Sequence, residues 1–250
     1  MKSSSNDISL RYDEDSYLFR YLDWDSNFFK RPCYMFDVDK SHITKPAKIV
    51  DLIQTKLDGA FVAVKIVSSY DCNFVQALQK SGFRYIDTEI TLEFGEKPRV
   101  FEHNNTIKII KQERNEDLPY EKLGSVFSLT RFHSDPYIPS DKADLIWVNY
   151  LKNFVINETH HMYVALVQGE VAGVVLVNIE KKKIMLFYLV AMSSFQNAGV
   201  GTKLVQEVVL NSEGSAIQTE TQVKNLRALN FYIRNGFTKI YSTCTVMHRW

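Results

Sequence analysis

IMLFYLVAMSSFQNAGVGTKLVQEVVL, residues 184–210, changes its hydrophobic period halfway along. The apolar run Ile184–Ala191 predicts a buried strand, and the apolar residues that follow the turn recur at helical spacing. The turn itself, Gln196–Thr202, carries Gly199 and Gly201. The first amide N–H groups of a helix lack partners within it and carry partial positive charge, so this turn is suited to bind a phosphate. A tight connection that needs glycine for steric reasons is the alternative.

A second motif, NLRALNFYIRNGF at residues 225–237, follows a predicted strand. Asn225, Ala228 and Tyr232 are spaced i, i+3 and i+7, so they share one stripe of a helix. Such a stripe is compatible with a ligand site, and equally with core packing in which the tyrosine hydroxyl is satisfied. Taken alone, this motif favours core packing.

The surrounding patterns predict an α/β (α+β) protein in two parts. Gly95–Pro98 is a predicted turn and the expected boundary between an N-terminal α/β domain, residues 1–98, and a second domain, residues 99–250. The second domain is predicted as β-α-α-β-β-β-α-β-α-β, with Asp117 as the cap of its first helix. Its clearest helix has apolar residues at i, i+3, i+4, i+7 and i+8 between positions 143 and 155.

The N-terminal part repeats one pattern of the second part. Predicted strands at 34–38, 60–67 and 83–94 are separated by helices that begin at Pro46 and end at Gly82. Gly82-Phe83 follows a predicted helix and precedes a strand, as Gly236-Phe237 does. Leu78 stands four residues before the first glycine, where the second copy has Tyr232. The first copy is therefore expected to lack the chemistry of the second.

Composition excludes several classes of protein. The formal net charge is +1, from 30 basic and 29 acidic residues, so no basic excess indicates nucleic-acid binding. Cys33, Cys72 and Cys244 form no C-x-x-C pair, and His160-His161 has no third ligand nearby in sequence, so no metal site is predicted. The first residues lack the apolar core of a signal peptide, and the longest apolar run is too short to span a bilayer. We expect a cytoplasmic protein without membrane insertion.

Together, the two motifs resemble those of the GCN5-related N-acetyltransferase (GNAT) superfamily. That family pairs a Q/R-x-x-G-x-G/A turn with a downstream N-x-x-A-x-x-x-Y-x-x-x-G-F helix. The first element is matched by Gln196, Gly199 and Gly201, and the second by Asn225, Ala228, Tyr232, Gly236 and Phe237. The resemblance implies the GNAT fold, which is a mixed, mostly antiparallel sheet flanked by helices. A smaller N-terminal α/β half is expected to join that sheet.

The resemblance also implies that acetyl-CoA is the cosubstrate, bound in a V-shaped opening between the fourth and fifth strands of the second domain. The residues expected to bind it are Leu189, Val190, Ala191, Gln196, Asn197, Ala198, Gly199, Val200, Gly201, Thr202, Asn225 and Ala228. An amine would attack the thioester directly in a ternary complex, and Tyr232 would protonate the departing thiolate. A main-chain amide in the strand would polarise the carbonyl. One difference from the GNAT pattern is the segment Met192–Phe195, where members of that family often have Pro or charged residues.

A narrower resemblance covers most of the chain. Trp24–Phe29, Gly82–Glu89, Thr130–Phe132 with Tyr137, and Thr221-Gln222 are similar to segments of the dTDP-fucosamine acetyltransferases, although Lys30 replaces their usual glycine. This resemblance implies acetylation of a dTDP-4-amino-4,6-dideoxyhexose, a nucleotide sugar used for cell-surface polysaccharide.

The same resemblance implies roles for individual residues. Asp87 would be the base, acting through water, and Arg131, Phe132, His133 and Tyr137 would contact the acceptor. From the residues themselves, Asp87 and Glu89 are more simply exposed strand carboxylates, and Arg131 and His133 more simply solvated loop residues.

Other functions stay open at this level. The acceptor could be another small amine, such as an amino acid, polyamine or aminoglycoside, or a protein N-terminus. The chain could also be a non-catalytic acyl-CoA-binding module. Neither the acyl length, the sugar stereochemistry, the base nor the oligomeric state, including a homodimer, follows from these motifs.

Overall fold

The computed structural model describes residues 6–12, 15–38, 46–67, 72–95, 106–113 and 118–250. The elements in chain order are β1 (Ile8–Tyr12), β2 (Asp15–Tyr21), α1 (Asp23–Phe29), β3 (Cys33–Val38), α2 (Pro46–Lys56), β4 (Phe61–Val67), α3 (Cys72–Lys80), β5 (Arg84–Glu93), β6 (Ile107–Gln112), α4 (Tyr120–Gly124), α5 (Arg131–Ser134), α6 (Ser140–Lys152), β7 (His160–Val167), β8 (Glu170–Glu180), β9 (Lys183–Ala191), α7 (Val200–Leu210), β10 (Ala216–Gln222), α8 (Leu226–Arg234) and β11 (Lys239–Arg249). A 3-10 turn, Ser193–Phe195, precedes α7.

The chain divides into two compact units. The first comprises Met1–Glu89 and Ser242–Trp250, and the second comprises Ile90–Tyr241. The division therefore falls inside β5 and inside β11. Most of the turn Gly95–Pro98, at which the sequence predicts a domain boundary, lies outside the described residues, so domains 1–98 and 99–250 stay a prediction.

In the first unit, β3 and β4 are parallel and every residue of β3 has a partner, from Cys33 opposite Phe61 to Val38 opposite Ile66. β2 pairs antiparallel with β1 and β3, and the C-terminal part of β11 pairs antiparallel with β4. Helices α2 and α3 pack their apolar residues against the sheet. Apolar spacing of three and four residues produces that face on each helix.

In the second unit, β6, β7, β8 and β9 form an antiparallel run, and β10 adds to β9 in parallel. The link between β7 and β8 is the two-residue turn Gln168-Gly169, with φ of 51° and 86°. Two positive φ angles are typical of a type I′ turn, whose twist matches that of the flanking strands. Parallel strands need a longer crossover, and α7 supplies it between β9 and β10.

Helices cover both faces of this sheet. One apolar cluster includes residues of α7 and α8, and the other includes residues of α4 and α6. The expected fold class, an α/β protein with a mostly antiparallel sheet flanked by helices, is confirmed. Within the described ranges, no helix is both long and apolar enough to cross a membrane.

The structure also differs from the sequence predictions in places. β1, β2, α1 and α5 were not predicted. The helix expected to continue to Val155 ends at Lys152, and Phe154 lies in the following loop and is buried. The expected cap Asp117 lies outside the described residues, and α4 spans Tyr120–Gly124.

Candidate active site

Strands β9 and β10 diverge and open a cleft. They pair from Lys183 opposite Ala216 to Leu186 opposite Thr219. Beyond that point β9 continues to Ala191 and β10 to Gln222, and these residues line a cleft of about 750 Å³. Because β10 has moved away, the main chain of β9 offers its hydrogen-bonding groups to the cleft. This is the V-shaped opening that the sequence resemblance implies.

A bulge in β9 accounts for the divergence. Leu176 of β8 is opposite Tyr188, and the next residue, Val177, is opposite Leu186. Phe187 is therefore the extra residue of a β-bulge, which bends the strand and increases its twist. Phe187 is 39% exposed and lines the cleft.

The turn that follows β9 brings main-chain amides to the cleft. Gly199, with φ of 84°, is the N-cap of α7, and no side chain caps this helix. The amides of the first turn lack intrahelical partners and carry the positive end of the helix dipole. Asn197 also has a positive φ, 63°, which asparagine tolerates better than most residues. The turn is therefore suited to bind an anion with main-chain donors.

Gly201 serves a different purpose from Gly199. It lies inside α7 and is not among the residues with a positive φ, so the backbone conformation there is compatible with a side chain. A Cβ at this position would lie 3.0 Å from both Cε2 and Cζ of Phe231, and 3.5 Å from Cδ2 of Leu189. Gly201 therefore permits close packing of α7 against α8 beside the cleft.

Asn225 and Ala228 are linked by a cap. The Asn225 Oδ1 accepts a hydrogen bond from the Ala228 amide at 3.1 Å and so caps α8. The i, i+3 spacing in the sequence is thus the spacing of an N-cap and the amide that it satisfies. From the same helix, the Arg227 guanidinium donates to Gln196 Oε1 at 2.8 Å, which ties α8 to the turn before α7.

Tyr232 is buried and lines the cleft. Its ring centroid lies 5.3 Å from that of Phe231 and 5.4 Å from that of Phe237. Burial raises the pKa of Tyr232 above its usual value, and a hydrogen bond with the Thr219 side chain opposes this rise. The phenol therefore stays protonated at neutral pH and is able to donate a hydrogen bond into the cleft.

The cleft brings together nearly all of the predicted cofactor-binding residues. Those that line it are Leu189, Val190, Ala191, Gln196, Asn197, Gly199, Val200, Gly201, Thr202, Asn225 and Ala228. Ala198 is not among the lining residues, and its amide donates to the Phe195 carbonyl at 3.3 Å. Their roles in binding stay predictions.

The opposite wall of the cleft is aromatic. Phe127 lies 5.1 Å from Trp147 and 4.5 Å from Tyr188, measured between ring centroids. Tyr188 donates its hydroxyl to the Leu123 carbonyl at 2.9 Å, and burial raises its pKa well above the usual value. The wall thus presents rigid apolar rings with one satisfied phenol, next to Thr130.

The predicted acceptor residues lie behind this wall. Arg131, Phe132, His133 and Tyr137 are not among the residues that line the cleft. Phe132 is buried and Tyr137 is 53% exposed. The Arg131 guanidinium lies 4.5 Å from the centre of the Phe132 ring, and its buried Nη1 has no hydrogen-bond partner among the described residues. The expectation that His133 faces solvent is wrong, because its side chain is only 9% exposed.

Asp87 belongs to the first unit. It is 3% exposed, and its Oδ1 accepts a hydrogen bond from the Thr88 amide at 2.9 Å. Glu89 is also buried and pairs with Lys65 at 2.6 Å. The alternative that both are exposed strand carboxylates is therefore wrong. The role of Asp87 as a base stays a prediction.

Several polar residues that line the cleft were missed from the sequence, and Glu220 and Arg227 are two of them. Glu220, on the diverging part of β10, is the carboxylate among the lining residues, and Arg227 contacts Gln196. Glu220 alternates with Thr219 and Thr221, which are buried. This alternation predicts that Glu220 faces away from them, and it is the signal that could have identified it.

In the part of the chain that the structure describes, no cluster of three or more His, Cys, Asp or Glu side chains is suited to hold a metal ion. The ring of His160 instead stacks on Phe154, with centroids 5.4 Å apart.

Comparison with known families identifies the segment that contains both motifs. Residues 126–237 match the family model described as "Acetyltransferase (GNAT) family". These residues include the aromatic wall, the turn before α7 and the whole of α8. No curated protein matches the chain significantly.

Solved structures resemble the chain over nearly its whole length. A conserved protein of unknown function from Staphylococcus epidermidis has a TM-score of 0.67 at 12% identity, covering 98% of this chain and 94% of its own. A GCN5-related N-acetyltransferase from Kribbella flavida has a TM-score of 0.62 at 11% identity, covering 97% and 89%. A tandem GNAT protein from the clavulanic acid biosynthesis pathway has a TM-score of 0.59 at 13% identity, covering 97% and 81%. At these identities the likeness shows the fold alone.

Proposed function

We propose that the chain is an acyl-CoA-dependent acetyltransferase that transfers an acetyl group directly from acetyl-CoA to an amine in the cleft, and the match of residues 126–237 to the GNAT family model supports this proposal. The observation that carries this proposal is the divergence of β9 and β10 beyond Leu186 and Thr219. It exposes a strand edge, an anion-binding turn and a buried phenol to one cavity.

On the donor side, the main chain supplies most of the binding groups. Leu189, Val190 and Ala191 offer an unpaired strand edge to an amide-containing pantetheine arm, as an additional strand would pair. Main-chain amides at the start of α7 hold the diphosphate. An amide of the β9 edge donates to the thioester oxygen, where negative charge develops during attack.

Tyr232 donates a proton to the departing sulfur. A free thiol has a pKa of about 8.5 and a free phenol about 10, so transfer between them in water is slightly unfavourable. The burial that raises the pKa of Tyr232 also raises that of a thiol held beside it, because desolvation disfavours both anions. Burial therefore shifts the pKa of the donor and the pKa of the acceptor in the same direction.

We infer that the acceptor is the amine of a nucleotide-linked amino sugar, a dTDP-4-amino-4,6-dideoxyhexose such as dTDP-fucosamine. The sequence resemblance favours this class, and one observation supports it. The rings of Phe127, Trp147 and Tyr188 form an apolar surface suited to a deoxysugar. A small amine without a nucleotide is the alternative acceptor.

The test is thiol release from acetyl-CoA against a panel of dTDP-4-amino-4,6-dideoxyhexoses, aminoglycosides, polyamines and amino acids. Turnover restricted to the nucleotide sugars, with competition by dTDP, supports the acceptor. Faster turnover of an amine that lacks a nucleotide would contradict the nucleotide-sugar acceptor, whereas the proposal of acetyl transfer would still hold. Calorimetry that detects no acetyl-CoA binding by the folded protein contradicts the function as a whole.

Tyr232→Phe tests the proton donor. General acid catalysis contributes about 10² to 10⁴ in rate, so we expect kcat to fall within that range while acetyl-CoA affinity is retained. Tyr241→Phe, which removes a hydroxyl from a 63% exposed tyrosine, is the matched control. Full turnover by Tyr232→Phe would remove Tyr232 from the acid role.

A further inference from the structure

A chain of hydrogen bonds runs from the cleft wall to the protein surface. Trp147 Nε1 donates to Thr130 Oγ1 at 3.3 Å, and Thr130 Oγ1 lies 2.8 Å from His133 Nδ1. His133 Nε2 lies 3.0 Å from Asp144 Oδ1. Thr130 and Trp147 line the cleft, whereas the Asp144 side chain is 44% exposed.

Two helices fix this arrangement. Thr130 is the N-cap of α5, and its hydroxyl also accepts from the His133 amide at 3.4 Å. Asp144 and Trp147 are three residues apart on α6, so they lie on one face of that helix. The α5–α6 packing therefore places His133 between the Thr130 hydroxyl and the Asp144 carboxylate.

The number of hydrogens decides the direction of each bond. A threonine hydroxyl has one hydrogen to donate and two lone pairs. Thr130 accepts from the Trp147 indole and from the His133 amide, so its own hydrogen is directed at His133 Nδ1. We assign Nδ1 as the acceptor of this bond, so that Nε2 carries the hydrogen that His133 donates to Asp144. His133 thus faces the cleft through one hydroxyl.

We propose that Thr130, His133 and Asp144 form the proton relay that deprotonates the acceptor amine, a step that rests on the proposed function. The ammonium donates to Thr130 Oγ1 while the Thr130 hydrogen passes to His133 Nδ1, so an amine and an imidazolium result. The Asp144 carboxylate stabilises this imidazolium and passes no proton. The hydroxyl is intact after the step.

Thr130 is able to accept from a substrate because its present donors are distant. The contacts of 3.3 Å and 3.4 Å exceed the usual 2.7–3.2 Å of an N–H···O bond. An ammonium forms a shorter, charge-assisted bond and displaces the weaker of these donors.

Several charged groups surround His133. Asp144 on α6 contacts it, and the buried Asp135 follows α5. Arg131 lies on the same helix, and the Lys224 ammonium, from the segment between β10 and α8, contacts Ser134 Oγ. Of these four charged groups, Asp144 is the one described within hydrogen-bond distance of the ring.

The first test compares His133→Asn with the wild type as the pH rises. The variant is expected to lose about 10² to 10⁴ in kcat at neutral pH, with an unchanged KM for acetyl-CoA. The loss should shrink at high pH, where solution supplies the amine already neutral. A purely structural defect would give a loss that does not depend on pH.

Further variants separate the parts of the relay. Thr130→Ser keeps the hydroxyl and should keep the shape of the wild-type pH profile, whereas Thr130→Val should show the pH-dependent loss of His133→Asn. Asp144→Asn should give a smaller loss of the same form, and Asp141→Asn, an exposed carboxylate on the same helix, is its matched control. The Asp144 and Asp141 variants change solvent-accessible side chains, so they remain informative where His133→Asn does not fold.

The outcomes distinguish the relay from the function on which it rests. A wild type that releases no thiol with any amine overturns both. An active wild type whose His133→Asn and Thr130→Val variants keep its rate and pH profile overturns the relay alone. If Glu220→Gln shows a pH-dependent loss of kcat and the His133 and Thr130 variants do not, then Glu220 is the base. That result also overturns the relay.

Discussion

At the scale of the residue, Asn225 uses the two ends of one carboxamide for different purposes. Its Oδ1 caps α8 through the Ala228 amide. The Nδ2 group is then the end that is able to donate to a ligand in the cleft, which Asn225 lines. Stability and binding therefore depend on different atoms of one side chain, and substitutions can separate them.

Asn225→Asp and Asn225→Ala are expected to differ in a defined way. Asp keeps the capping oxygen and should leave Tm unchanged, but it replaces the donor with a charge and should weaken acetyl-CoA binding. Ala removes the cap as well and should destabilise the protein by about 1 kcal/mol. Thermal unfolding and calorimetry measure the two effects. Undiminished acetyl-CoA binding by Asn225→Asp would show that Nδ2 makes no contact.

The sequence predicted residue positions better than residue contacts. The spacing of Asn225, Ala228 and Tyr232 placed these residues on one helix, and all three line the cleft. The contact between His133 and Asp144 was not predictable, because it depends on α5. That helix has only four residues, too few to show a hydrophobic period.

At the scale of the element, the cleft depends on how closely α7 approaches α8. The hydrogen at the Gly201 Cα faces the edge of the Phe231 ring, and Phe231 itself lines the cleft. A methyl group there would displace the ring by a few tenths of an ångström or more. The packing of two helices and the shape of the binding site are therefore coupled at one position.

Gly201→Ala is expected to weaken acetyl-CoA binding with little change in Tm. Alanine favours the helix by up to about 1 kcal/mol over glycine, which offsets the strain of moving Phe231. The double variant Gly201→Ala with Phe231→Leu removes the ring atoms in contact and should recover affinity. Calorimetric Kd values measure both effects. If the single variant binds as tightly as the wild type, close approach is not the reason for this glycine.

Periodicity predicted most elements because their buried faces are apolar. The helix α1 was missed because it buries Asp25 and Ser26, and Ser26 Oγ accepts from the Cys33 amide at 2.9 Å. The bulge at Phe187 was missed too, since it depends on pairing with β8 rather than on its own residue type. Polar burial and strand register are tertiary properties.

At the scale of the whole molecule, the two units share a helix-Gly-Phe-strand pattern but differ where a cofactor would bind. In the first unit β3 pairs with β4 along its whole length, whereas β9 and β10 diverge. Leu78, which is fully buried, stands at the position of Tyr232, and no glycine occurs between residues 39 and 45. Among its described residues, the first unit lacks the strand divergence that opens the cleft in the second.

We therefore expect each chain to bind one acetyl-CoA. Calorimetric titration should give a stoichiometry of one per chain, and Tyr232→Phe should leave that value unchanged. A stoichiometry of two would show that the first unit also binds the thioester. It would contradict the inference that complete pairing of β3 with β4 leaves no cofactor cleft there.

The pairing of β4 with residues 244–249 has a consequence for biosynthesis. Domains generally fold as the ribosome releases them, the N-terminal one first. Here the sheet of the first unit cannot be completed until the second unit has been translated, because residues 244–249 come last. Until then, one edge of β4 has no partner strand. A bare strand edge is a template for association with other chains. During that interval the nascent polypeptide is at its most vulnerable to aggregation, and holdase chaperones have their longest opportunity to protect it.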